Sequence, residues 1–303
     1  MDPFSLYAAI APPSSGRGSG LSLHVLNPPY QEFEPLYTAQ GLPPKQPPFG
    51  ALVGLQASCA LMQRDLLSEL VPRIRAWFAS TPVVLLLAGN LSEESIRLGW
   101  YAGVLRFRAV LMEGEPVSTT LRRSLTYPED LPGDVLEWLL LQGIDLSPEL
   151  CRLVGQIFAH APTCTEISDL LRLAREPETS ARARCRKKRL PPPHCWLQVA
   201  RALHAALHLQ RSPDVPVAEI AFQLGYNEPS ALGQLLRRSF GLNSTAVRQI
   251  IGWEPLLHRW LTAHHAKGLF ASGRNRQFLS NRKLPLWATA VYRRPGSRIG
   301  IAT

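Results

Sequence analysis

Apolar positions recur at helical spacing most clearly over Val217–Gly241. Val217, Ile220, Ala221 and Leu224 stand at i, i+3, i+4 and i+7, one face of a short helix. Gly225 follows as a stop, because glycine takes the left-handed conformation without a Cβ penalty. Pro229 sits where a first helical turn tolerates a missing N–H. Leu232, Leu235 and Leu236 give the second helix its inward face, and Gln234, Arg237 and Arg238 are left on other faces. The pattern predicts helix, tight turn, helix, the second helix being basic.

A weaker copy of this pattern precedes it over 165–196. Ile167, Leu170, Leu171 and Ala174 mark a first helix, and Arg175, Glu176 and Pro177 a turn. The helix expected at about Glu178–Lys188 carries Arg182, Arg184, Arg186, Lys187 and Lys188, with Arg189 just beyond. Its apolar face is thin, limited to Ala181 and Cys185. Pro191–Pro193 break the chain, and His194–Leu209 then reads as a long helix with Trp196, Val199, Ala200, Leu203, Ala206 and Leu207 inward. Residues 253–262 predict a short aromatic helix that caps the second unit through Trp253, Leu256, Leu257 and Trp260.

The pattern changes over 49–158. Ala51–Gln56, Pro82–Ala88 and Arg106–Met112 read as strands, the second apolar throughout as a buried parallel strand would be. Arg64–Phe78 shows helical spacing, with Leu66, Leu67, Leu70, Val71, Ile74, Trp77 and Phe78 on one broad apolar face and a kink or split expected at Pro72. Ser92–Gly99 has a helix start, Ser92 as cap and acids in the first turn. The order β-α-β-α-β implies a small parallel sheet with right-handed crossovers. A helical connector follows, with helices expected at Gly133–Leu141 and Pro148–His160.

These elements predict an α/β N-terminal domain plus an all-α C-terminal domain with two helix-turn-helix units. The domain limits are 1–48 for a Pro/Gly-rich leader, 49–158, 159–262, and 263–303 for a basic tail. Leader and tail are expected to be mostly disordered, with one short strand at Leu21–Leu26. The α/β region resembles at most a degenerate receiver-like or flavodoxin-like fragment. Gln56 is followed by Ala57 and Ser58, and Leu87 by Ala88, Gly89 and Asn90, so the acids of a phosphoryl-accepting site are missing. No glycine-rich phosphate loop follows a strand.

Charge separates the two halves. Residues 1–158 carry 11 Lys and Arg against 15 Asp and Glu, whereas residues 159–303 carry 22 against 8. The whole excess of the +10 net charge therefore lies with the helix-turn-helix pattern, as an electrostatic footprint for a phosphate backbone. The five cysteines have no C-x-x-C spacing and read as small core residues. His204 and His208 stand at i, i+4, but without a third ligand they are expected to be a solvated pair, as are His258, His264 and His265. An enzyme on the α/β region would have only Asn90, Glu113 and Glu115 at its strand ends, a set that more simply forms an exposed turn. No catalytic residue, metal site or cofactor is expected. The start lacks a basic region followed by an apolar run, and no stretch of about 18 apolar residues occurs, so neither signal peptide nor membrane span is expected and a cytoplasmic location fits.

Ile220, Ala221, Gly225, Tyr226, Ser230, Leu232, Leu236, Arg237, Gly241 and Arg248 fall in register with the second helix-turn-helix of the AraC/XylS transcription regulators, which this stretch resembles. Leu232 and Leu236 replace aromatics, Ser244 a proline and Val247 a tyrosine. Gln234 stands where that family has arginine, so base preference does not carry over. The resemblance implies a sequence-specific DNA-binding regulator, with residues 165–196 as the first unit and the helix after Pro193 fixing the spacing between the two. Asn227, Ser230, Gln234, Arg237 and Arg238 are the expected DNA-binding residues of the second unit, and Arg182, Arg184, Arg186 and Lys187 those of the first. Double-stranded DNA is the expected partner. RNA polymerase, a second copy of the chain and an unidentified small-molecule effector are further candidates, and the α/β domain is the expected place for sensing or oligomerisation.

Overall fold

A computed structural model describes residues 21–36, 47–57, 71–72, 74–75, 78, 80–87, 93–112 and 117–266. The tail, most of the helix expected at Arg64–Phe78, and Asn90, Glu113 and Glu115 lie outside the described residues.

Five strands form one sheet: β1 (Leu21–Leu26), β2 (Phe33–Pro35), β3 (Leu52–Ala57), β4 (Val83–Leu87) and β5 (Val110–Met112), in the order β2-β1-β3-β4-β5. β3, β4 and β5 are parallel, with Leu55 opposite Leu85 and Leu86 opposite Leu111. The helix α1 (Glu93–Val104) lies in the chain between β4 and β5. β1 runs antiparallel to both β2 and β3, so the sheet is mixed and not purely parallel as expected. The reason is local: only 27–32 separate β1 from β2, room for a turn but not for the crossover that a parallel pair needs. Part of the proline-rich leader is thus built into the sheet edge.

Both faces of the sheet are covered. Val53, Leu55, Val83 and Leu85 pack with Val71, Ile74, Phe78 and Ala102 on one side. Leu52, Val84 and Leu111 pack on the other with Tyr30, with Leu121 and Leu125 of α2 (Val117–Thr126), and with Ile251 from far along the chain. Gly54 allows a close approach there, since a Cβ would stand 2.7 Å from the Leu86 side chain and 2.9 Å from the Phe33 ring. Arg106 does not open a strand as expected. It takes a left-handed φ of 57° where α1 ends, which turns Arg106 and Arg108 toward the acids of the next helices.

The remaining described elements are helices: α3 (Leu131–Leu141), α4 (Pro148–His160), α5 (Ile167–Leu173), α6 (Glu178–Lys187), α7 (Pro193–Arg211), α8 (Val217–Gln223), α9 (Pro229–Phe240), α10 (Ser244–Gln249) and α11 (Glu254–Ala266). α3 and α4 start where the sequence offers side-chain caps. The Asp130 carboxylate accepts from Gly133 N–H at 3.1 Å, and the Ser147 hydroxyl from Leu150 N–H at 3.4 Å. One core joins all of these helices, and α7 runs through it. Trp196, Val199, Ala200, Leu203 and Ala206 of α7 are each at most 1% exposed. No helix among the described residues is long and apolar enough to cross a membrane.

The C-terminal helix does more than cap the second unit. Trp253 stands edge-on to Trp138 of α3, with ring centroids 6.1 Å apart, and Trp260 meets Trp196 of α7 at 5.0 Å. Glu254 is buried and pairs with Arg108 Nε at 2.7 Å. Arg108 also pairs with Asp134 at 2.6 Å, and Arg106 and Arg75 reach Glu137 at 3.1 and 2.8 Å. Burial works against the Arg108 charge, and Glu254 and Asp134 outweigh it, so its guanidinium is held charged. The Gln210 amide clasps Gly252 on both sides, donating to its carbonyl at 3.1 Å and accepting from its N–H at 3.0 Å. The Tyr30 hydroxyl donates to Gly50 O at 2.7 Å and accepts from Ile251 N–H at 3.0 Å. The sheet and the helical part are therefore joined by buried charge and hydrogen bonds.

Candidate nucleic-acid interface

α8 and α9 form the second unit where the spacing places it. Ile220, Ala221, Leu232 and Leu236 are at most 1% exposed and carry the hydrophobic contact between the two helices and α7. Leu224, Tyr226 and Leu235 pack around them, partly buried. Gly225 has φ 78°, Gly225 N–H donates to Phe222 O at 3.0 Å and Tyr226 N–H to Ala221 O at 3.0 Å. This hydrogen-bond pair satisfies the last carbonyls of α8 and turns the chain sharply. Pro229 opens α9, as expected.

The polar residues expected at DNA all lie on the outer surface of this unit. Asn227, Ser230, Gln234, Arg237 and Arg238 are exposed. The Ser230 hydroxyl donates to Glu228 at 3.1 Å, which fixes it at the start of α9. Arg248, which matches the family pattern, has a different task. Its guanidinium donates to Pro213 O at 2.9 Å and Val215 O at 2.6 Å and holds the loop that leads into α8. Val247, in place of an aromatic, is fully buried.

The first unit repeats the turn with different residues. Arg175 takes the place of Gly225, with φ 52°. Arg175 N–H donates to Arg172 O at 3.1 Å and Glu176 N–H to Leu171 O at 2.9 Å, the same pair of bonds as in the second unit. The degenerate sequence thus keeps the backbone of the turn. α6 is anchored by Ala181 and Cys185, both buried, and by Leu190 just beyond it. Burial pushes the Cys185 thiol up to about 11, so it acts as a small apolar core residue.

The four cations expected on α6 are not equivalent. Arg186 and Lys187 are exposed. Arg182 is exposed and pairs with Glu178 at 2.6 Å, one turn back. Arg184 is only half-exposed and is folded onto Glu176 of the turn. It ties the turn to α6, a role that the count of basic residues does not reveal. The partner residue sits eight positions earlier, beyond the helical spacing at which a pair is recognised from sequence.

The histidines also differ from expectation. His204 Nε2 donates to Phe158 O at 3.0 Å and joins α7 to α4, and burial lowers it below the ordinary 6.5. His258 lies 6.4 Å from the Trp138 ring, edge-on, and burial lowers it too. His264 packs against Trp260, tilted, with ring centroids 4.4 Å apart. These rings are packing groups, not a solvated set. His265 lies outside the described side chains. Among the described residues no group of three or more His, Cys, Asp or Glu is arranged to hold a metal ion.

α7 lies between the two units. Its His194, Gln198 and Arg201 face outward at i, i+4 and i+7. The Arg201 guanidinium carbon stands 5.6 Å over the Tyr226 ring, a cation–π contact. The sequence marks neither residue as part of an interface, because a helix expected to act as a spacer has its outward polar face read as solvated.

No curated protein matches the chain. Residues 173–250, from the turn of the first unit through the second, match the family described as a helix-turn-helix domain. Residues 173–250, packed on a shared central helix with cationic outer faces, are thus similar to an AraC-type helix-turn-helix domain, a DNA-binding domain whose presence implies a transcription regulator.

Proposed function

We propose that the chain is a sequence-specific transcription regulator that sets α6 and α9 in successive major-groove segments of one DNA face. α7 is the spacer, and a single helix of that kind suits two half-sites about one helical turn apart. The observation that supports this reading best is the outer surface of the second unit. Asn227, Ser230, Gln234, Arg237 and Arg238 are all exposed together while Leu232 and Leu236 of the same helix are buried. Gln234 pairs bidentately with adenine, and the Ser230 hydroxyl turns from Glu228 to bond a phosphate or base edge. Arg237, Arg238, Arg182, Arg186 and Lys187 hold phosphates and supply affinity by counterion release. Arg184 serves the fold of the first unit. The α/β part is the sensing or oligomerising part, and its ties to Ile251 and Glu254 give a signal a direct route to α11.

The test is selection of duplexes from a random pool by the full chain, repeated with Gln234→Ala and Arg237→Ala. An enriched motif is expected. Gln234→Ala should relax it at one position, losing about 1–3 kcal/mol of discrimination there. Arg237→Ala should weaken all sequences alike and lower the salt slope by about 1. Tight binding with no enriched motif would replace the regulator reading with sequence-independent DNA binding.

A further inference from the structure

The two helix-turn-helix units leave a groove between them, floored by the outward face of α7. It has two adjoining compartments, of about 440 and about 230 Å³, which share Gln198, Arg201 and Leu235. The larger compartment reaches the first turns of α5 and α6 and is lined there by Glu166 and Glu178. The smaller one lies against α9 and is lined by Arg201, Arg238, Gln198 and Gln234, with no carboxylate among its described lining residues. Two guanidinium groups and two amides therefore meet in one small space without an anion. Arg201 is held there over the Tyr226 ring, a contact that leaves the N–H donors of its guanidinium for an anion.

We infer that the smaller compartment seats a phosphodiester of the duplex, where the backbone passes between the two major-groove segments. Arg201 and Arg238 donate to its charged oxygens, Gln198 adds an amide donor, and waters fill the remaining space. The Glu166 carboxylate repels the backbone from the other compartment, where Glu178 is paired with Arg182, and this favours the crossing at the smaller one. α7 is then a third DNA contact and not only a spacer. It reads no base, yet it sets the register of the two recognition helices, as phosphate contacts do. This inference rests on the DNA-binding reading above.

The experiment measures affinity of the full chain for its selected duplex across a range of salt, for the wild type, Arg201→Gln, Arg238→Gln and Arg237→Ala. Removing one phosphate-binding cation is expected to flatten the slope of log K on log salt by about 0.9. Arg201→Gln should show that change with the enriched motif unaltered. A structural role for Arg201 alone would lower the midpoint and leave the slope unchanged, and that outcome overturns the inference. Arg238→Gln repeats the measurement without touching the Tyr226 contact, and an unchanged slope there also counts against it. A flattened slope for Arg237→Ala beside an unchanged one for Arg201→Gln would remove the groove contact and keep the regulator. A wild type that binds no duplex would remove both.

Discussion

At the scale of single residues, the two turns make a natural comparison. Gly225 and Arg175 share a left-handed backbone and the same two hydrogen bonds, so they differ in the residue placed there. A Cβ at Gly225 would meet nothing within 4 Å, which leaves the backbone conformation as its whole cost. Gly225→Ala is therefore expected to lose roughly 1 kcal/mol in denaturant unfolding, the left-handed penalty of a residue with a Cβ. Arg175→Gly should gain about 0.5 kcal/mol, the same penalty less the larger chain entropy of glycine. Loss of stability in Arg175→Gly would show that the Arg175 side chain contributes a contact worth more than the backbone strain.

At the scale of elements, α7 and α11 carry histidines that the fold keeps neutral. Burial lowers His204 and His258 below 6.5, and His208 on α7 moves the same way, from burial and then from Arg211 and His204. The unfolded chain therefore takes up protons first as pH falls. Stability from these groups is full above about pH 6.5 and declines as pH drops from there toward their lowered values. The thermal midpoint is expected to fall between about pH 7.5 and about pH 5.5, and His258→Gln should show a shallower fall. A variant profile parallel to the wild type would mean that His258 titrates alike in both states.

At the scale of the whole molecule, the two halves are opposite in charge and joined by a cluster that alternates sign. Arg108, Asp134 and Glu254 are brought together from three elements, and the Arg108 and Glu254 side chains are 12% and 5% exposed. Removing one member of such a pair strands the other. Arg108→Met is expected to cost roughly 3–5 kcal/mol, and adding Glu254→Gln to it should recover part of that loss. If the two changes simply add, the pair is not coupled and the sheet holds the helices by apolar contact alone. The same variants measured for DNA affinity test whether the sheet sets the position of α9 and α11.

The local part of this fold was legible in the chain. Pro148, Pro193, Val217 and Pro229 open helices at or within a residue of where the spacing and the prolines put them, because caps and i, i+4 periodicity act over a single turn. The outer face of α9 was legible for the same reason, since burying Leu232 and Leu236 leaves Gln234, Arg237 and Arg238 no other side. What the tertiary structure alone decided involves partners that no local pattern connects. The antiparallel edge strand, the Arg184–Glu176 tie, the Arg108–Glu254 pair and the cationic groove on α7 all depend on which surfaces meet. Tyr30 and Ile251 are 221 residues apart and share one hydrogen bond. Hydrophobic burial drives such surfaces together without direction, and the buried charges and hydrogen bonds that must then be satisfied select the partner.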